Sequence, residues 1–233
     1  MKIESIKYSE IDYDKIPQYA KKLESIFQYN TDINHTAYLN WRVEPHDSNR
    51  RQFVVMGEAF FDTAYNLIQQ CLRDNTDKKA DSWIFPILFD IVHGTEVYLK
   101  AINAAFSVVL NKQRGITEGG HDLKALCATA RKMIIEYKTA NNTSTAAQML
   151  TAINYVQKFI ENIYEKTDDM TFARYPLDKG KNGHFYIQTL ENEVIDLELL
   201  SEQIKYLYRM LEFIYDMPEI MIEINNDAMM EQY

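Results

Sequence analysis

The chain has 233 residues, 46% hydrophobic and 25% charged; that is a globular balance, long enough to bury a core without disulfide or metal staples. Its 25 lysines and arginines face 34 acids for a net charge of −9, which excludes a broad basic surface for nucleic acid but leaves room for a small basic cleft on an acidic body. The start Met1-Lys2-Ile3-Glu4-Ser5-Ile6-Lys7 has no apolar signal core, no stretch approaches the ~18 apolar residues of a membrane helix, and Cys71 and Cys127 read as buried free thiols without a CxxC, so a cytoplasmic protein is expected.

Residues 1–46 lack a sustained helical period, hold Pro17, Pro45 and several tyrosines, and are expected to pack as an N-terminal extension on the main domain of residues 47–233. Within them one helix over Tyr13–Tyr29 is predicted. From Arg50 the period becomes helical. Phe53, Met56, Phe60, Ala64, Leu67 and Cys71 stripe a first helix that Asp74-Asn75-Thr76-Asp77 ends. A second starts near Ser82, tolerates Pro86 because it lies near the N-terminus, and is striped by Ile84, Leu88, Ile91, Thr95, Tyr98, Ile102, Phe106 and Val109. A third runs from His121 to about Tyr137, and Asn141-Asn142-Thr143-Ser144 caps a fourth striped by Leu150, Ile153, Val156, Ile160 and Ile163.

Residues 168–188 change character. Thr171–Pro176 and His184–Ile187 are short β-prone runs around two polar turns, Asp178-Lys179-Gly180 and Lys181-Asn182-Gly183, which predicts a hairpin or extended loop. A last helix begins near Asn192, buries Leu197, Leu200, Ile204, Leu207, Leu211 and Ile214, and is expected to stop at Pro218. The fold expected is an all-α antiparallel bundle of about five main helices with that short insertion.

Two phrases stand out: Glu96-Val97-Tyr98-Leu99-Lys100-Ala101 in the second helix, and Gly120-His121-Asp122-Leu123-Lys124-Ala125-Leu126 opening the third. In that order, with Arg174-Tyr175-Pro176 after the fourth helix, they resemble the HEPN superfamily over roughly residues 50–215. The resemblance implies a helical bundle, a two-fold homodimer, and a metal-independent RNA endonuclease or RNA-binding protein of toxin–antitoxin or phage-defence systems, with an antitoxin or nucleotidyltransferase as partner. Its ribonucleases use an arginine and a histidine with four to six residues between them. The histidine moves the proton at the 2′-hydroxyl or leaving oxygen, and the arginine holds the phosphate. Arg114 and His121 meet that spacing, although glycines fill the interval where the family has helix. His121 or Asp122 also reads as the cap of the third helix, with Asp122 at the positive end of its dipole.

The second cluster joins Arg174, Tyr175, Lys179, Lys181, His184 and Tyr186: cations for phosphate, aromatics for bases and a histidine for proton transfer. Its plainer reading is a surface hairpin sealing the end of the bundle. His93, Glu96 and Lys100 lie on the polar flank of the second helix; the Glu96–Lys100 pair is worth ~0.2–0.5 kcal/mol if exposed. His93-x-x-Glu96 lacks a partner pair for a metal, so neither metal nor cofactor is expected. Sixteen tyrosines suit a helical dimer interface. The alternative function is a non-catalytic helical module that binds a partner protein or nucleotide.

Overall fold

A computed structural model describes residues 12–21, 24–39, 49–112, 119–141 and 143–230. The chain divides into two compact units, Met1–Trp41 and Arg42–Tyr233. In the first, Asp12 accepts a hydrogen bond from the Asp14 amide and opens a 3₁₀ turn over Tyr13–Lys15 that leads into α1 (Ile16–Lys21). The single helix expected over Tyr13–Tyr29 does not form. Ser25 Oγ takes the Phe27 amide and Asn30 Oδ1 takes the Asp32 amide, and these local bonds compete with helical ones.

The second unit holds α2 (Asn49–Arg73), α3 (Ala80–Val109), α4 (Leu123–Asn141), α5 (Ser144–Tyr164), the single turn α6 (Phe185–Gln188) and α7 (Leu197–Met230). Five long helices make the expected all-α bundle. Contacts fix their directions. Arg50, Phe61 and Gln69 of α2 meet Glu219, Tyr208 and Ser201 of α7 in reverse order, and Lys124 and Arg131 of α4 meet Tyr164 and Asn154 of α5 likewise. Asn103 and Ser107 of α3, by contrast, meet Leu126 and Met133 of α4 in ascending order, so α3 and α4 share one sense.

α3 is the central helix. Residues 94–107 are buried on every side, as expected of a helix surrounded by others, and Tyr98, Leu99, Ile102 and Phe106 lose all solvent contact. The buried stripe of α2 is Val54, Gly57, Phe61, Ala64, Ile68 and Cys71, turned by about one residue from the expected one, and Met56 is exposed. Gly57 explains the turn, because a Cβ there would stand 2.6 Å from Tyr98 Cδ2. The Tyr98 ring lies against α2 where α2 has no side chain.

Two expected boundaries move. α7 continues through Pro218 to Met230, although the proline removes the amide that would bond the Ile214 carbonyl. Met217 and Met221 pack on the core on either side of it, and the Glu219 carboxylate pairs with both Arg50 Nε and Nη2. These contacts carry the helix across the gap. Residues 165–196 hold turns and one isolated antiparallel bridge, Leu177 with Gly183; among the described residues this is not a hairpin of two strands. The β-prone run His184–Ile187 forms the helical turn α6, since the His184 carbonyl accepts the Ile187 and Gln188 amides. Among the described residues no helix is long and apolar enough to cross a membrane.

Candidate functional site

Glu96 sits in the middle of α3, and its side chain is only 8% exposed. An isolated buried carboxylate is costly, and three nitrogen groups gather round this one. Lys100 Nζ, one turn along and 9% exposed, lies 2.7 Å from Oε1. His121 Nδ1 lies 2.8 Å from the same oxygen, and His93 Nδ1 is 3.8 Å from Oε2. Burial pushes the Glu96 carboxyl up, but His93, Lys100 and His121 together outweigh it and hold its pKa at about 2. Asp90, less than two turns earlier and also buried, is pushed upward by desolvation, with His93 pulling it back. Two carboxylates on one helix are thus driven in opposite directions, a pattern typical of functional sites.

The turn before α4 delivers His121. Gly119 and Gly120 have φ of 101° and 61°, a region that costs other residues strain, so the chain reverses there. Asp122 Oδ1 accepts the Ala125 amide at 3.0 Å and caps α4. Capping therefore belongs to Asp122, and the His121 ring is left for Glu96. An ionised carboxylate only accepts hydrogen bonds, so His121 Nδ1 carries a proton toward Glu96, and in the neutral ring Nε2 keeps the lone pair. The His121 side chain is 84% exposed. It is thus an accessible imidazole, fixed in one tautomer by a buried anion.

The other sequence candidates distribute along the same side of α3 or away from it. His93 packs edge-on to Phe60 with ring centroids 4.7 Å apart and stacks on Phe89 at 5.6 Å. The Arg174 guanidinium carbon lies 5.7 Å from the Phe89 centroid and 5.8 Å from that of Tyr175. Arg174, Phe89, His93, Glu96 and His121 thus form a continuous strip. Tyr186 packs on Phe85 at 5.3 Å and donates its hydroxyl to the Phe172 carbonyl at 2.9 Å, closing the N-terminal end of that face. His184 is buried at 4% exposure, and among the described residues its Nε2 has no hydrogen-bond partner. Lys179 and Lys181 are exposed, and Arg114 lies outside the described residues. Among the described residues no group of three or more His, Cys, Asp or Glu side chains is arranged to hold a metal ion.

The helical period places Glu96 and Lys100 on the polar flank of the second helix; they are buried and central. The signal was present in the pairing of the two phrases, one holding the glutamate and lysine and the other the histidine that meets them. No protein-family model, curated protein or solved structure matches the chain.

Proposed function

We propose that this protein is a metal-independent RNA endonuclease in which His121 is the proton-transfer group. The 2.8 Å contact between a buried, ionised Glu96 and the exposed His121 ring carries the reading. His121 Nε2 takes the proton of a ribose 2′-hydroxyl, and the 2′-oxygen attacks the adjacent phosphorus. As that bond forms, the bond from phosphorus to the 5′-oxygen breaks, leaving a 2′,3′-cyclic phosphate, and the departing oxygen is protonated by the second histidine that a two-fold dimer supplies. Glu96 stabilises the imidazolium formed at His121, and buried Lys100 keeps Glu96 charged and fixed. Arg174, at the far end of the strip, is suited to a phosphate of the same strand, with Phe89 and Tyr175 beneath it. The resemblance in the Glu96–Lys100 and His121–Leu126 phrases supports a toxin–antitoxin or phage-defence context.

The test is incubation of a labelled mixed RNA pool with the purified protein in EDTA. Cleavage is expected to survive chelation, to vanish in His121→Ala, and to need more RNA for saturation in Arg174→Ala. Cleavage unchanged in His121→Ala, or none from folded wild type, overturns the proposal and favours a binding module.

A further inference from the structure

A groove of about 530 Å³ runs between α4 and α5, within the size range of small-ligand sites. Cys127, Ala128, Ile135 and Ile160 contribute its apolar surface, Lys124, Arg131 and Lys132 its cations, and Gln157 and Glu161 its opposite wall. The cations recur on one face of α4, and among the described residues none of the three makes an ion pair. Lys124 Nζ instead lies 3.9 Å over the Tyr164 ring, and Arg131 Nε donates to Asn154 Oδ1 at 3.1 Å, leaving its terminal nitrogens for another acceptor. The charge balance is local: α4 and α5 carry five of the chain's 25 Lys and Arg but two of its 34 acids. Few acids oppose the cations on these two helices, so positive charge prevails along the groove of an acidic protein.

We propose that this groove is a subsite for single-stranded RNA, holding an unpaired base on the apolar floor and its neighbouring phosphates on Lys124, Arg131 and Lys132. The inference rests on the nuclease reading and names its substrate class. The apolar floor suits the face of an unpaired base, which a duplex keeps stacked. On the far wall Gln157 Nε2 donates to Glu161 Oε1 at 2.7 Å. That pair offers a base edge both a donor and an acceptor. The groove also opens beside the proposed chemistry. Lys124 follows His121 by three residues, at most about 11 Å of chain, and the Tyr164 hydroxyl is 3.4 Å from Asp122 Oδ1. From Lys124 to Ile135 the helix extends about 16 Å, a track for a strand leaving His121.

Binding is measured in the cleavage-deficient His121→Ala background by fluorescence anisotropy, with a labelled single-stranded oligoribonucleotide, its duplex, and a mononucleotide as probes. The single strand is expected to bind at least ten-fold more tightly than the duplex or mononucleotide. Adding Arg131→Glu and Lys132→Glu should weaken single-strand binding at least ten-fold, while the charge-matched pair Arg73→Glu and Lys205→Glu on α2 and α7 changes it less than three-fold. Equal loss in both pairs, preference for the duplex, or equal affinity for the mononucleotide overturns the subsite, as does binding of an added acidic-peptide probe in place of the single strand. Circular dichroism of each variant verifies folding. Because the readout is binding, a groove that binds RNA beside a chain that never cleaves it separates failure of the nuclease reading from failure of this one.

Discussion

At the residue scale, Glu96 joins stability to chemistry. Its pKa falls from 4.5 to about 2 on folding, so the folded state binds the proton less readily than the unfolded chain. The stabilisation is fully present above about pH 5 and is lost as pH falls through about 2, a difference on the order of 3 kcal/mol. Glu96→Gln keeps the shape but leaves Lys100 a buried, unpaired cation, which costs about 3–5 kcal/mol near neutral pH. Denaturant unfolding at a series of pH values should show that the gap between wild type and Glu96→Gln is widest near pH 7 and narrows toward pH 2. In the same variant the His121 ring loses the anion that selects its tautomer, and RNA cleavage by the folded fraction should drop about 10²-fold or more. A gap that does not change with pH, with cleavage intact, would show that the carboxylate neither stabilises through its charge nor orients His121.

At the scale of elements, the contact between α2 and α3 turns on Gly57. A methyl at that position meets Tyr98 Cδ2 at 2.6 Å and Val97 Cγ2 at 3.2 Å, and Tyr98 is wholly buried with Phe61 and Tyr208 packed against its ring. Gly57→Ala gains up to about 1 kcal/mol in helix propensity but incurs overpacking of about 1–3 kcal/mol or more. A net fall in Tm of a few degrees is expected by calorimetry, and an unchanged or higher Tm would show that the helices part freely. This contact also marks where the sequence stops being legible. Helices α2 to α5 and α7 announce themselves in three- and four-residue apolar spacing because burial follows that period. The rotation of α2 about its axis does not, since a glycine chosen for close approach carries no hydrophobic signal. Pro218 misleads for a related reason: the local rule against proline is outweighed by Met217, Met221 and the Arg50–Glu219 pair, contacts distant in sequence. Glu96 and Lys100 look like a surface pair because their spacing is that of one; only the arrival of His121 from another element and the enclosure of α3 reveal a buried site.

For the molecule as a whole, the question is how a chain of net charge −9 could hold a polyanion. Long-range repulsion is screened beyond about 8 Å at physiological ionic strength, so a strand close to the surface responds to the nearest cations rather than to the total. Those near the proposed path are Lys124, Arg131 and Lys132 on the α4–α5 groove and Arg174 at the other end of the strip. If each neutralises one phosphate, release of condensed counterions gives a log–log slope of affinity against salt of about −2 to −3 for a single strand. Anisotropy titrations of His121→Ala from 50 to 300 mM NaCl should return that slope, and Arg131→Glu with Lys132→Glu should flatten it by about one or more. The slope for the charge-matched pair on α2 and α7 should stay with its parent, because those positions lie off the path. A flat parent slope would mean that phosphate contacts do not drive binding, and a slope equally reduced by both pairs would mean that net charge governs association rather than one groove.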